Sequence, residues 1–256
     1  MGRIDRSLGT AVQMAMRLIY PPRCLGCGGL VETDFGLCAA CWSDTPFIGG
    51  VVCDGCGLPL PGGQRDETAH CDECLTYPPI WTQGRAATMY AGQARKLVMA
   101  LKHGDRHDIV APAADWLAEA AEPLICQGMI VTAIPLHWRR RVMRGYNQSA
   151  LLSRAVAKRL RERTADLDLI DQPDLLLRTR ATASLGSMGR EERHSVLSGA
   201  ISINPRCRDT LEQRPVLIVD DVMTSGATFS AAAAACIAAG SGPVSVLALA
   251  RVGKAS

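Results

Sequence analysis

The sequence lacks any long hydrophobic run. No stretch approaches the ~20 consecutive apolar residues that cross a bilayer as a helix. The apolar stretch near the N-terminus is interrupted by Gln13 and Arg17, and no small-residue cleavage site follows it. We therefore expect neither a membrane span nor a secretory signal, and predict a cytoplasmic protein. A short amphipathic helix over roughly residues 6–19 accounts better for that stretch.

Aromatic residues and net charge are also scarce. Phe, Trp and Tyr make up 4% of the 256 residues, so a core must be built mainly from Ala, Leu, Val and Ile. The formal net charge of +3 is too small to indicate a nucleic-acid-binding protein by itself. Hydrophobic residues at 48% and charged residues at 21% are typical of a globular chain. This length allows one sizeable core and a smaller module.

Cysteine is abundant instead, and eight of the eleven cysteines lie between positions 24 and 74 in four C-x-x-C pairs. Two residues between thiolates let one turn present both sulfurs to one ion, and a second such turn ~10–20 residues later completes a tetrahedral shell. Ten residues separate the first two pairs and fourteen the last two. The spacing predicts two zinc ribbons with structural Zn²⁺ in two closed sites. The ligands are Cys24, Cys27, Cys38 and Cys41, then Cys53, Cys56, Cys71 and Cys74.

Structural disulfides and a redox C-x-x-C motif are the alternatives for these cysteines. Disulfides are rare in a chain without a secretion signal, and a redox motif is a single pair on a βαβ unit. Gly28 and Gly57 directly follow the second cysteine of a pair, which suits a turn that needs positive φ. His70 could replace a thiolate, but with eight thiolates available we interpret it as a surface histidine.

The residue pattern changes near Pro78 and Pro79, where the cysteine pairs end and apolar helix and strand patterns begin. This predicts an N-terminal helix and double zinc ribbon over residues 1–79, and an α/β domain over residues 80–256. The predicted strands are 85–91, 129–135, 174–177, 217–221 and 243–251, and the predicted helices are 93–104, 108–121, 147–163 and 227–239. This alternation predicts a parallel sheet with helices on both faces, whose ligand site lies at the carboxyl ends of the strands.

The segment "VLIVDDVMTSGAT", residues 216–228, places Asp220 and Asp221 at such a strand end. Two adjacent carboxylates can accept hydrogen bonds from the two hydroxyls of a ribose. A loop of small residues then enters a helix, whose free N–H groups and dipole favour a phosphate. The alternative is that the aspartates only cap the helix, for which one would suffice. The residues expected at the phosphate are Thr224, Ser225, Gly226, Ala227 and Thr228.

This segment resembles the phosphoribosyl-diphosphate signature of type I phosphoribosyltransferases. With the cysteine-rich front, "LKHGD" and "IPLHWRRRVMRGYNQSALL" in this order, the chain is similar to the ComF family of bacterial phosphoribosyltransferase-like proteins over nearly its whole length. The resemblance implies a double zinc ribbon joined to a type I phosphoribosyltransferase-like fold. It also implies a link to DNA uptake during natural transformation.

The resemblance further implies transfer of a phosphoribosyl group from phosphoribosyl diphosphate, with Mg²⁺, to an unidentified nucleophile. Asp220 and Asp221 would then be the catalytic residues. Arg139 and Arg144 would bind the diphosphate, because guanidinium groups pair well with phosphate oxygens. Their alternative is a solvated basic face or a patch that grips nucleic acid. Lys102 would contact the sugar phosphate, although a lysine near a helix end needs no function.

Two other functions stay open. One is a non-catalytic sensor of phosphoribosyl diphosphate or a nucleotide. The other is a competence factor that binds single-stranded DNA or DNA-uptake proteins, with Trp42, Trp81 and Trp138 as candidate stacking platforms. Many family members carry a glutamine and an asparagine within residues 178–199, where this chain has Leu185 and Ser195 or Val196. Acceptor contacts are therefore not transferred from the family.

Overall fold

The computed structural model describes residues 20–34, 36–62, 68–136, 145–164, 166–180 and 199–253. The predicted helix over residues 6–19 lies outside them. The described strands are β1 (Gln83–Met89), β2 (Ile130–Ala133), β3 (Ile170–Asp171), β4 (Leu176–Arg178), β5 (Ile201–Ile203), β6 (Val216–Met223) and β7 (Val244–Arg251). Five of them form a parallel sheet in the order β1-β7-β6-β2-β3, and β4 pairs with β5 in an antiparallel ribbon.

Helices connect these strands and also occur in the cysteine-rich part. They are α1 (Ala39–Ser43), α2 (Asp72–Thr76), α3 (Gly92–His103), α4 (Val110–Ala121), α5 (Gln148–Arg163), α6 (Arg208–Leu211) and α7 (Ala227–Ala238), with short 3₁₀ turns at His107–Ile109, Glu122–Leu124 and Pro205–Cys207. None of the helices in the described ranges combines the length and apolar character that a bilayer-spanning segment needs.

Successive residues of the central strands point to opposite sides of the sheet, and helices cover both sides. Leu217 and Val219 of β6 join a core built with α3, α4 and α5. Val216 and Ile218 join a second core, to which α7 contributes Phe229 and the β4–β5 ribbon also contributes. Helices on both faces of a parallel sheet confirm the predicted fold class.

Helix α5 begins where the sequence predicts it. The Asn147 side chain caps it by accepting a hydrogen bond from the Ser149 N–H group at 3.1 Å. Its buried residues Leu152, Val156 and Leu160 recur every four positions and face the sheet. The cap and the apolar stripe therefore fix both the start of α5 and the direction in which its first turn points.

The sequence predicted a strand that ends at Asp221, but β6 is longer. It continues to Met223 because β7 supplies a pairing partner that far, with Val222 opposite Ala250 and Met223 opposite Arg251. One strand was predicted at 174–177. The structure instead begins β4 at Leu176 and pairs it with β5, a strand that has only three residues and was not predicted.

The second half of the cysteine-rich segment packs directly on β1. The Gly84 N–H donates to the Asp54 carbonyl at 2.7 Å, and Arg85 Nη2 lies 2.6 Å from Asp54 Oδ1. The Trp81 indole N–H donates to the Gly55 carbonyl at 2.7 Å. A second contact reaches the carboxyl edge of the sheet, because Glu73, which lies between two cysteines of the second group, is 3.8 Å from Arg251 at the end of β7.

Candidate functional site

The aspartate pair lies at the point where the chain changes direction across the sheet. From β2 the chain crosses by α5 to β3 on one side, and from β6 it crosses by α7 to β7 on the other. Ligands bind at such a topological switch point in open α/β sheets. Pairing between β2 and β6 stops at Ala133 and Val219, so Asp220 and Asp221 lie beyond the end of β2.

The two carboxylates share α5 as a neighbour, and Asp221 also contacts α3. Lys102 Nζ of α3 lies 3.0 Å from Asp221 Oδ1. In the first turn of α5, Gln148 Nε2 donates to Asp221 Oδ2 at 2.8 Å and Ser149 Oγ donates to Asp220 Oδ1 at 2.6 Å. The Asp221 side chain is only 5% exposed, whereas Asp220 is partly exposed. The pair is therefore rigidly held, with Asp220 the more accessible member.

Asp220 has an unusual acidity. Burial, followed by the charge of Asp221, raises the pKa of the Asp220 carboxyl to about 7, although hydrogen bonding from Ser149 and the charge of Lys102 act in the opposite direction. Carboxyl groups with shifted pKa values are concentrated at functional sites, where burial and like charges are placed together. The shift supports a functional interpretation of the pair beyond helix capping.

The loop after β6 leads into the N-terminus of α7. Its N-cap residue Gly226 has φ of +77° and no side chain, and the helix start has no side-chain cap hydrogen bond. The first N–H groups of a helix have no intrahelical partner and carry its positive dipole end. The N-terminus of α7 can therefore donate to an anion, with the partly exposed Thr228 beside it.

Two residues that were not predicted as part of the site hold this loop in shape. Arg251 is 4% exposed and closes β7. Its Nη1 donates to the carbonyl oxygens of Thr224 and Val252, each at 2.6 Å. On the other side, a Cβ added to Gly226 would lie 2.9 Å from the Trp81 ring. The loop is thus fastened from both sides, and only glycine fits at its turn.

The predicted site residues are brought together only in part. Lys102, Asp220 and Asp221 form one contact network, and residues 224–228 form the adjoining loop and helix start. Arg139 and Arg144 lie outside the described residues, as does Trp138. Trp81 is 7% exposed and packs against Gly226, so it is not the free stacking platform that the sequence analysis considered.

The eight paired cysteines form the two predicted groups. In each group the four sulfur atoms lie within 4.8 Å of one another. Cys27 and Cys38 sulfurs are 3.7 Å apart in the first group, and Cys56 and Cys71 sulfurs are 3.7 Å apart in the second. Tetrahedral zinc with Zn–S bonds of about 2.3 Å requires sulfur separations of ~3.8 Å, whereas a disulfide is much shorter. The residues therefore fit structural zinc.

The electrostatics of these groups also favour a divalent cation. In the second group a hydrogen bond from Cys56 lowers the pKa of the Cys53 thiol to about 4. Burial and then the charge of Cys53 raise the pKa of Cys74 to about 12. One thiol ionises easily at the expense of its neighbours, so all four become thiolates only with a cation at their centre.

The two groups share one local design. Each first pair is followed by a glycine with positive φ, Gly28 at 75° and Gly57 at 70°, as predicted. Each second pair begins a five-residue helix, with Cys38 or Cys71 as its N-cap. His70 is exposed and belongs to neither group. The segment therefore contains two copies of one metal-binding unit.

Comparison with known proteins agrees with this design. Residues 15–75 match the family described as the double zinc ribbon domain. The chain is 29% identical to the DNA utilization protein YhgH of Escherichia coli (strain K12) over 223 residues, which are 85% of this chain and 91% of that protein. It is 28% identical to YhgH of Salmonella typhimurium over 229 residues, 87% of this chain and 93% of that protein.

A third relative carries the family name. The chain is 26% identical to Competence protein F of Haemophilus influenzae over 215 residues, which are 81% of this chain and 87% of that protein. The resemblance to the ComF family is confirmed. The chain and these three relatives are matched along most of their lengths, so the similarity includes the zinc ribbons and the sheet together.

Some residues at the site were not predicted from the sequence, because their sequence signals are weak. Gln148 belongs to the segment through which the chain resembles the ComF family, and Ser149 was interpreted only as part of a helix start. Nothing in the sequence states that this start faces the aspartates. Arg251 ends a run of seven uncharged strand residues, which was the available signal. Glu73 lies between two metal ligands, and only the fold places its carboxylate 3.8 Å from Arg251.

Proposed function

We propose that this protein binds phosphoribosyl diphosphate and transfers its phosphoribosyl group to an acceptor, with release of diphosphate. The observation that carries the proposal is the position of the carboxylate pair and the uncapped N-terminus of α7 on one strand-loop-helix unit at the switch point of the sheet. Carboxylates that can accept hydrogen bonds from ribose hydroxyls lie beside a site that can bind an anion, and this combination suits a ribose 5-phosphate.

The contacts of the two aspartates suggest different roles for them. Asp221 is neutralised by Lys102 and held by Gln148, so it fixes the shape of the site. Asp220 keeps exposed surface and accepts from Ser149 through Oδ1. In the proposal, Asp220 faces the ribose diol, while Lys102 stands between the buried carboxylate and the incoming sugar phosphate.

The proposed step is a substitution at C1 of the ribose. A lone pair of the acceptor forms the new bond to C1, the bond from C1 to the diphosphate oxygen breaks, and its electron pair leaves with diphosphate. The proton displaced from the acceptor passes to solvent. Positive charge develops on the sugar ring, and Asp220 and Asp221 stabilise it electrostatically while orienting the diol.

Magnesium belongs to this proposal through the substrate. Among the described residues, the groups that bring three or more ligand side chains together are the two cysteine groups. Mg²⁺ is commonly bound by substrate phosphates and one or two carboxylates, so Asp220 and Asp221 fit that limited role. When bound, the ion would neutralise charge on the departing diphosphate.

Calorimetry tests binding directly. We expect heat on titration of phosphoribosyl diphosphate with Mg²⁺ into the purified full chain, and loss of most of that heat in the Asp220→Asn/Asp221→Asn variant. Asp209→Asn, at an exposed carboxylate on α6, is the matched control. Release of diphosphate with a panel of bases and amines tests turnover. Binding without release by any acceptor would favour the sensor, and absence of binding would overturn the proposal.

A second candidate function is nucleic-acid binding, favoured by one exposed aromatic cluster. Trp42 is 53% exposed in the first zinc ribbon, and its ring lies 4.4 Å from Phe47, which in turn meets Trp116 edge-on at 5.1 Å. A supported, exposed tryptophan suits base stacking. The names of the relatives, DNA utilization protein and Competence protein F, agree with a DNA-related role.

Fluorescence anisotropy with a labelled single-stranded oligonucleotide tests this second function. Trp42→Ala should weaken binding about tenfold or more, because stacking is the sequence-independent contribution of such a residue. Leu30→Ala is the control, since Leu30 is 68% exposed in the same ribbon and has no aromatic ring. Equal affinity of both variants would exclude Trp42 as the platform.

A further inference from the structure

A cavity of about 350 Å³ lies between the second cysteine group and the loop that precedes α7. Tyr77, Pro79, Ile80, Trp81 and Met223 supply apolar walls. Met223 and Arg251 end β6 and β7, so the cavity opens at the carboxyl edge of the sheet. Its volume is at the small end of the range for ligand pockets, ~300–1,000 Å³.

Two polar atoms on its wall have no hydrogen-bond partner within the described ranges. They are Ser225 Oγ and Arg251 Nε, both buried. The rest of the Arg251 side chain is held by the Thr224 carbonyl, so its Nε cannot turn elsewhere. A buried donor without a partner is unfavourable in a folded protein. These two donors would be satisfied by a ligand that carries a hydrogen-bond acceptor.

The charge around the cavity limits the ligand further. Cys56 and Cys74 line it, and a zinc ion with four thiolates carries a net charge of about −2. Glu73 adds a carboxylate, and Arg251 is the one cation among the residues that line the cavity. An anionic ligand would be repelled. A neutral, flat molecule can use the apolar walls and the two free donors.

We infer that this cavity holds the acceptor, and that the acceptor is a neutral, planar nitrogen heterocycle of nucleobase size. The inference rests on the proposed function, because the cavity shares Ser225 and Gly226 with the loop expected at the phosphate. The half-exposed Tyr77 ring provides a stacking surface, and the buried Trp81 ring forms part of the apolar wall. The ring nitrogen that attacks C1 loses its proton in the step described above. A neutral heterocycle with an N–H group therefore supplies the nucleophile and also avoids repulsion by the negative charge around the cavity.

Nucleoside 5′-monophosphates test the inference because they span both sites. Ribose 5-phosphate occupies the sugar site alone, and adenosine and uridine 5′-monophosphates add a neutral base, whereas orotidine 5′-monophosphate adds an anionic one. By calorimetry we expect at least one neutral nucleotide to bind about tenfold more tightly than ribose 5-phosphate. Orotidine 5′-monophosphate should gain nothing.

Variants of the far wall locate the base without touching the sugar site. Ile80→Trp fills the cavity and Tyr77→Ala removes a stacking surface, and both positions are half exposed, so folding should survive. Each should abolish the tenfold gain and keep ribose 5-phosphate affinity within about twofold. Leu75→Trp is the matched control, because Leu75 is 64% exposed in the same ribbon and does not line the cavity.

Each outcome decides something. Failure of both phosphoribosyl diphosphate and ribose 5-phosphate to bind overturns the proposed function, and the cavity is then judged by titrating adenine, hypoxanthine and uracil alone against the same variants. Binding of ribose 5-phosphate without any gain from a neutral base overturns the inference. A gain that survives in both Ile80→Trp and Tyr77→Ala places the base elsewhere and also overturns it.

Discussion

Lys102 and Asp221 form an ion pair at 3.0 Å between the end of α3 and the centre of the switch point. The Asp221 side chain is 5% exposed and that of Lys102 is 22% exposed. The sequence places them 119 positions apart (221 minus 102), and the sheet brings them together. Their pairing ties the site to a helix on one face of the sheet.

Removing the cation from this pair should cost stability. Lys102→Met leaves a buried carboxylate without its charge partner, and we expect a loss of about 1–3 kcal/mol in the free energy of unfolding. Urea denaturation measures it. The control is Lys96→Met, whose ion pair with Asp44 is 3.7 Å long and mostly exposed; it should cost less than about 1 kcal/mol. Equal losses would show that Lys102 is no more than a surface lysine.

The acidity of Asp220 predicts a pH dependence. Its pKa is raised to about 7 in the folded chain and lies near 4 in the unfolded chain, so the folded state holds the proton between these values. This contribution favours folding at low pH and is lost as pH rises towards and through 7. Relative to Asp220→Asn, the wild type should gain stability as pH falls from about 8 to 6. A difference between the two that is constant over this range would contradict the shift.

Gly226 offers a test of the loop. Gly226→Ala forces an alanine into the left-handed backbone region and places its Cβ 2.9 Å from Trp81. Gly240→Ala at φ of +87° also has left-handed backbone, but nothing lies within 4 Å of the new Cβ. Both should lose about 1 kcal/mol to backbone strain, measured by thermal unfolding. Only Gly226→Ala should lose more, and only it should lose binding of phosphoribosyl diphosphate. Similar behaviour of both variants would show that the Trp81 contact does not hold the loop in shape.

The zinc sites predict a metal count. Elemental analysis should find close to two zinc ions per chain, because the described residues contain two groups of four cysteines. Cys27→Ala and Cys74→Ala should each lose about one ion.

The two variants should differ in ligand binding. The second group supports the loop through Trp81 and through Glu73, so Cys74→Ala should also weaken binding of phosphoribosyl diphosphate. Cys27→Ala belongs to the first group and should leave that affinity near wild type. If both variants bind alike, the second ribbon does not position the loop.

The sequence predicted those parts of the fold that depend on local pattern. C-x-x-C spacing identified both metal groups, and apolar periodicity with the Asn147 cap located α5. Strand β5 was missed because three residues carry too little pattern to distinguish a strand from a loop. The extension of β6 to Met223 was missed because it depends on pairing with β7.

The site was predictable to the extent that its residues are neighbours in sequence. Asp220, Asp221 and residues 224–228 share one segment, so its chemistry could be argued directly. The contacts of Gln148, Ser149 and Arg251 depend on tertiary packing, which a single sequence does not state. Family resemblance predicted that Lys102 contacts the sugar phosphate, and this stays a prediction. The structure shows a different contact, an ion pair with Asp221 at 3.0 Å.

The close approach of Gly55 and Gly84 has a practical consequence for anyone who exchanges parts between homologues. A Cβ at Gly84 would lie 2.6 Å from the Gly55 carbonyl oxygen, and the adjacent backbone is joined by hydrogen bonds from Gly84 and Trp81. A chimera joined at residue 79 would place its seam inside this interface. The metal-binding half should therefore be transplanted together with residues 80–86, as one inseparable cassette.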